Sequence, residues 1–163
     1  MTESQPIFEA AIKADPGYAL PQALLARQKF LLLRLGVAKD PVATIAHEEK
    51  ARRLYPYDPV VWAFLTTQAA GLVCRGVESD LEAAEERSRE AILANTKVWH
   101  PAAIAALSAT RRGDHDTAQK LVQRAKVKLP VFSASMIRQS LGKGAQTEPW
   151  SSIAAMVEDM RLP

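Results

Sequence analysis

The chain has a single cysteine, Cys74. It can close no internal disulfide, and one thiol cannot build a cysteine-based zinc centre within one chain. Its apolar setting, Ala-Gly-Leu-Val-Cys, suggests a small packed residue. Only three histidines occur, His47, His100 and His115, and none lies three to five residues from another histidine or from Cys74. His47-Glu48-Glu49 therefore reads as part of a solvated helix face, and no metal site is expected. No run of about 20 apolar residues is present, so no membrane span is expected. The first residues, Met-Thr-Glu-Ser-Gln-Pro, lack the basic and apolar regions of a secretory signal. Aromatic residues make up 6% of the chain and do not interleave with the late basic run Arg111, Arg112, Lys120, Arg124, Lys126 and Lys128. Asp114 and Asp116 interrupt that run, and a net charge of +3 is only mildly basic, so nucleic acid is not an expected partner. Gly142-Lys143-Gly144 lacks the strand and glycine spacing of a phosphate loop. Neither serine of Ser133-Ala134-Ser135 is followed three residues later by lysine. The carboxylates of Glu48, Glu49, Glu82, Glu85, Glu86 and Glu90 alternate with Lys50, Arg52, Arg53, Arg87 and Arg89, the pattern of a solvated face. No catalytic residue and no cofactor is expected.

What is present is a soluble composition, 48% hydrophobic and 24% charged, in 163 residues. That suffices for one domain with a real core. A repeat runs through it. Ala11, Ala51 and Ala91 are spaced by 40 residues, and Ala125 follows after 34. Each sits near a helix end. Pro16, Pro56 and Pro130 follow three of them by five residues, and Thr96 takes that place in the fourth. Proline there cannot continue the helix and disfavours helical geometry in the residue before it.

The clearest unit runs from Trp99 to Pro130. Its first helix carries Ala102, Ala105, Ala106 and Ala109, Gly113 breaks it, and Asp114 can cap the second. Ala118, Leu121, Val122 and Ala125 form one face of that second helix. Asp40-Pro41 and Asp58-Pro59 read as helix starts, and Ser79-Asp80-Leu81-Glu82 as a capping box. Helices are expected near 18–35, 41–54, 58–73, 79–94, 100–112 and 114–128, with Glu9–Ala14 ending a unit whose first half is missing. Long turns, at Gly36–Pro41 and at Gly71–Ser79, would account for the spacing of 40.

Trp99–Pro130 resembles a tetratricopeptide repeat through Ala106, Gly113, Ala118, Ala125 and Pro130. Ala102 departs from it, standing where the family has a large residue. The resemblance covers about residues 9–130 and implies an all-α, right-handed α-α superhelix of about three helical hairpins. Its units would be about 9–56, 57–96 and 97–130, with a cap over 131–163 of two helices, one from Phe132 to Leu141 and one carrying Ile153, Met156, Val157 and Met160. The tail is also similar to the C-terminal ends of repeat regions on bacterial class III nucleotide cyclases and some transcriptional regulators.

In the resemblance, the second, fifth, ninth, twelfth and thirteenth residues of each unit line a concave groove. Counted from Gly17, these include Tyr18, Leu25, Gln28 and Lys29, together with Pro21. Counted from Tyr57 they include Asp58, Val61, Leu65 and Gln68, together with Ala69. Counted from Trp99 they include His100, Leu107, Thr110 and Arg111, together with Ala103. Such a groove takes an extended peptide or an amphipathic helix. The expected function is non-catalytic protein or peptide binding in a cytoplasmic, bacterial setting. The alternative is a structural region of a larger regulator or cyclase that stacks on its own chain or on a second copy, with Phe8, Ile12 and their neighbours as the pairing face.

Overall fold

Four helices end in the same way. The carbonyls of Ala11, Ala51, Ala91 and Ala125 each accept the N–H of the residue four places on, Asp15, Tyr55, Asn95 and Leu129, at 2.9–3.0 Å. Asp15, Asn95 and Leu129 then turn out of the helix in closely similar extended geometry, with φ between −139° and −147°. Side-chain oxygens reinforce two of these exits, because Asp15 accepts from Gly17 N–H and Asn95 from Lys97 N–H. The computed structural model describes residues 4–34, 42–130, 132, 133 and 135.

Within them lie seven helices and no strand: α1 (Gln5–Ala14), α2 (Ala19–Arg34), α3 (Val42–Leu54), α4 (Val61–Arg75), α5 (Glu78–Ala94), α6 (His100–Arg111) and α7 (His115–Lys128). The all-α expectation holds. Each helix packs on the next. In addition α2 touches α4 and α4 touches α6, whereas the odd-numbered helices stand further apart. The even-numbered helices therefore form the inner layer of a curved stack and the odd-numbered ones the splayed outer layer.

Small residues set the closest contacts. Ala51, Ala91 and Ala125 are fully buried, as are Ala105 and Ala106 on α6. Seven residues before each of the first three stand Thr44, Ala84 and Ala118, also buried. Between the two small positions lie Glu48, Ser88 and Val122, buried as well. One site thus holds a carboxyl, a hydroxyl and an aliphatic group in successive outer helices. The Glu48 carboxyl contradicts the expectation of a solvated face. Polar bonds tie the layers together: Ser108 Oγ donates to Leu81 O at 2.6 Å, and Arg112 bridges to buried Glu85 at 2.9 Å.

The second unit differs from its expected form. Gly71 is not in a turn; it is buried inside α4, which continues to Arg75. The turn is Gly76, in the left-handed region at φ 71°, matching Gly113 at φ 79°. The extra length comes from the helices, since α4 has 15 residues against 12 in α6 and α5 has 17 against 14 in α7. The start of α4 also shifts. Asp58 Oδ1 accepts from Val60 N–H at 2.8 Å, closing a turn before the helix, and Val60 takes the cap position. Ser79 does not cap α5. The helix begins at Glu78 because the Val77 carbonyl already accepts from Asp80 and Leu81, while the Asp80 side chain pairs with Arg75. Asp114 does cap α7, accepting from Thr117 N–H at 3.1 Å. The expected long turn at 36–41, the Asp40-Pro41 start and the capping helices of 131–163 lie outside the described residues, apart from 132, 133 and 135. Phe132 is buried and packs 5.3 Å from the Trp99 ring.

Gly76 gives a direct test of the turn. A Cβ there would occupy the space of the Arg111 guanidinium, on a backbone that L side chains rarely adopt. Gly76→Ala is expected to destabilise the fold by about 1–2 kcal/mol, read as a drop of several degrees in the thermal midpoint.

Candidate functional site

The inner face belongs to α2, α4 and α6, and its register follows from the two turn glycines. Placing Gly76 on Gly113 puts Leu65, Gln68, Ala69 and Leu72 in the places of Ala102, Ala105, Ala106 and Ala109. All eight are buried. It puts Ala63, Thr66 and Ala70 in the places of His100, Ala103 and Leu107. On α2 the matching buried set is Gln22, Leu25 and Ala26, which leaves Leu20 and Arg27 exposed on the inner face. Thr66 and Thr67 donate their hydroxyls to Trp62 O and Ala63 O four residues back, so neither donor is left over. The inner face is thus mainly apolar, with Arg27 and His100 as polar points. Partial burial lowers the His100 pKa, and its ring stacks on Trp99 with centroids 3.9 Å apart.

The residues counted from the loops distribute differently. Tyr18 is exposed in the loop before α2, Asp58 holds the turn before α4, and Val61 is half-buried in the first turn of α4. Leu25, Gln28, Leu65, Gln68, Leu107 and Thr110 are buried. Thr110 donates to Ala106 O. Arg111 donates to Val73 O at 3.3 Å, so its charge serves the C-terminal end of α4, where it offsets the helix dipole. Leu25 and Lys29 turn toward α1 and α3, and Gln68 toward α3 and α5. The expected groove set is therefore not one surface. Of its members, His100 lies open on the inner face. The missed signal is the register of α4: with Gly76 on Gly113 it is Trp62, five residues after Tyr57, that stands opposite Trp99.

Among the described residues, two clefts open in the outer layer. One, of about 470 Å³, lies between α1 and α3 and is lined by Ile12, Gln22, Leu25, Lys29, His47 and Lys50, among others. The other, of about 350 Å³, lies between α3 and α5, with Gln68 and Leu72 on its floor. They are the same site in successive units. Among the described residues no three acidic, histidine or cysteine side chains gather as metal ligands, and no helix is long and apolar enough to cross a membrane. Cys74 is buried, and burial pushes its thiol pKa up, the nearby Arg111 charge opposing only in part.

No protein-family model matches the chain, and no curated protein matches it. Among the solved structures similar in fold are two crystal structures of MamA. Each is 18% identical over 96% of this chain, with a TM-score of 0.67, covering 84% of one MamA chain and 78% of the other. That likeness places the chain among tetratricopeptide-like helical solenoids. It does not extend to the nucleotide cyclases or regulators that the tail resembles.

Proposed function

We propose that the chain is a non-catalytic protein-interaction module that receives a peptide or helix on the inner face of α2, α4 and α6. The observation that carries this reading is the partly open, mainly apolar strip along that face. Leu20 is 48% exposed, and Leu24, Ala63 and Thr66 remain half-open with no spare hydrogen-bond donor on Thr66. A surface of that kind selects an apolar stripe and leaves orientation to a few polar groups such as Arg27 and His100. A cytoplasmic setting suits a chain with one buried thiol.

The test is affinity capture from extracts of the source cells. Thr66→Arg is expected to lose the captured partner, while Leu93→Asp, on the outer face where Leu93 is 80% exposed, is expected to keep it. Equal capture by both variants would refute binding on the inner face.

A second reading, self-association, is favoured by α1. Pro6, Ile7 and Ala10 are exposed, Ile7 at 67%, in the places where α3 presents Ala46, His47 and Lys50 to α1. Light scattering coupled to size exclusion across a concentration series separates the readings. A dimer that Ile7→Asp returns to monomer supports pairing through α1; a monomer throughout excludes it.

A further inference from the structure

We propose that the cleft between α1 and α3 is a second binding site, for a carboxylate side chain presented beside an aliphatic residue by an acidic segment of a protein partner. The cleft has an apolar wall, Ile12, Leu25, Ala43 and Ala46, and a cationic side, Lys29 and Lys50, with His47 between them. Its counterpart between α3 and α5 shows what a self-satisfied version looks like. There Arg75 pairs with Asp80, Arg87 pairs with Glu90, and Gln68 donates to Glu49 at 3.3 Å. In the α1–α3 cleft neither Lys29 nor Lys50 pairs with a carboxylate among the described residues. The acid that lines it, Glu9, accepts from Gln5 at 2.8 Å. Two lysines facing one glutamate leave a net positive cleft whose counter-charge must come from elsewhere.

The chemistry at His47 fits the same ligand. Its Nδ1–H donates to Oε1 of buried Gln22 at 2.9 Å, which holds the ring in one tautomer and leaves Nε2 to take a proton. The groups acting on it come from all three helices. Desolvation lowers its pKa most, Lys29 and Lys50 lower it further, and Glu9 opposes them. An arriving carboxylate reverses the balance and favours the imidazolium. Binding therefore takes up a proton, and affinity rises as pH falls. The carboxylate comes from a protein segment, because the cleft is wider than one carboxylate needs and its apolar wall calls for a neighbouring aliphatic side chain.

The probe is a synthetic helical peptide of about 14 residues with Glu and Leu four places apart on one face, set against its Glu-to-Gln form and against hexanoate. Binding is followed by NMR titration. The expected result is shifts at Lys29, His47 and Lys50 with the Glu peptide, reduced about tenfold or more in affinity by combined Lys29→Gln and Lys50→Gln. Affinity should rise severalfold from about pH 7.5 to about pH 6, and that rise should vanish in His47→Gln. Thermal melts check that the variants remain folded. No binding of the Glu peptide, or equal binding by the lysine variants, overturns the proposal. Hexanoate matching the peptide at equal concentration overturns the protein source and assigns the cleft to small carboxylates. None of these outcomes bears on capture at the inner face, which Thr66→Arg reads separately.

Discussion

Glu48→Met is expected to raise the thermal midpoint at neutral pH by roughly 5 °C and to flatten its dependence on pH. Glu48 is 2% exposed, and its Oε2 has no hydrogen-bond partner among the described residues. Desolvation raises the carboxyl pKa from 4.5 to about 9, so it is protonated in the fold at neutral pH. The unfolded chain carries the same group ionised above about pH 4.5. The folded state then binds more protons than the unfolded state, and linkage makes stability fall as pH rises. The fall spans the window from 4.5 to about 9 at no more than about 1.4 kcal/mol per pH unit. Below that window the penalty is absent. Methionine keeps the unbranched shape and removes both the proton balance and the unpaired oxygen. Glu48→Gln should flatten the pH profile too, with a smaller gain, since an amide at this site still needs partners. Chemical denaturation at pH 5, 7 and 9 checks both variants. A wild-type stability that stays level across that range would show that Glu48 does not carry the penalty.

Ala125→Arg is expected to unfold the chain at room temperature, whereas Val127→Arg, two residues along the same helix, should melt like the wild type. Ala125 is fully buried, and its carbonyl accepts the closing bond of α7 from Leu129. It occupies the place of Ala51 and Ala91, where a methyl group is as much as the helix approach admits. Arginine there adds volume to a close-packed contact and carries a charge with no partner. The combined cost, more than about 4 kcal/mol, approaches the whole stability of an ordinary domain. Val127 is 76% exposed and meets no such constraint. Far-UV circular dichroism with temperature reads the contrast. Equal melting of the two variants would mean that the aligned alanines do not set the packing.

The aligned alanines were legible in the sequence because a close helix contact tolerates little else. Gly113, Asp114 and the limits of α6 and α7 were legible for a similar reason: turn geometry and capping demand particular residues. Gly71 misled because glycine serves both turns and buried helix interiors, and sequence does not separate the two. Ser79 misled because the first hydrogen bonds of α5 form two residues earlier, at Val77. The groove set failed through phase. The turn glycines set Trp62, not Tyr57, opposite Trp99, and that difference of five residues moves Leu65 and Gln68 from the inner face to its buried side. Arg111 carried a charge that looked available, yet the end of α4 lies within its reach. Glu48 was read as solvated because its neighbours are charged, although it stands three residues before the aligned Ala51 and four after Thr44, on the buried face of α3.

On the proposed reading, the inner face of α2, α4 and α6 receives a protein partner. A photo-reactive residue placed in turn at Arg27, Thr66 and His100 on that face, and at Leu93 and Val127 on the outer helices, tests it most directly. Discrete adducts with one partner at the three inner positions, and none at the two outer ones, are the predicted result. Adducts confined to Leu93 and Val127 would contradict it.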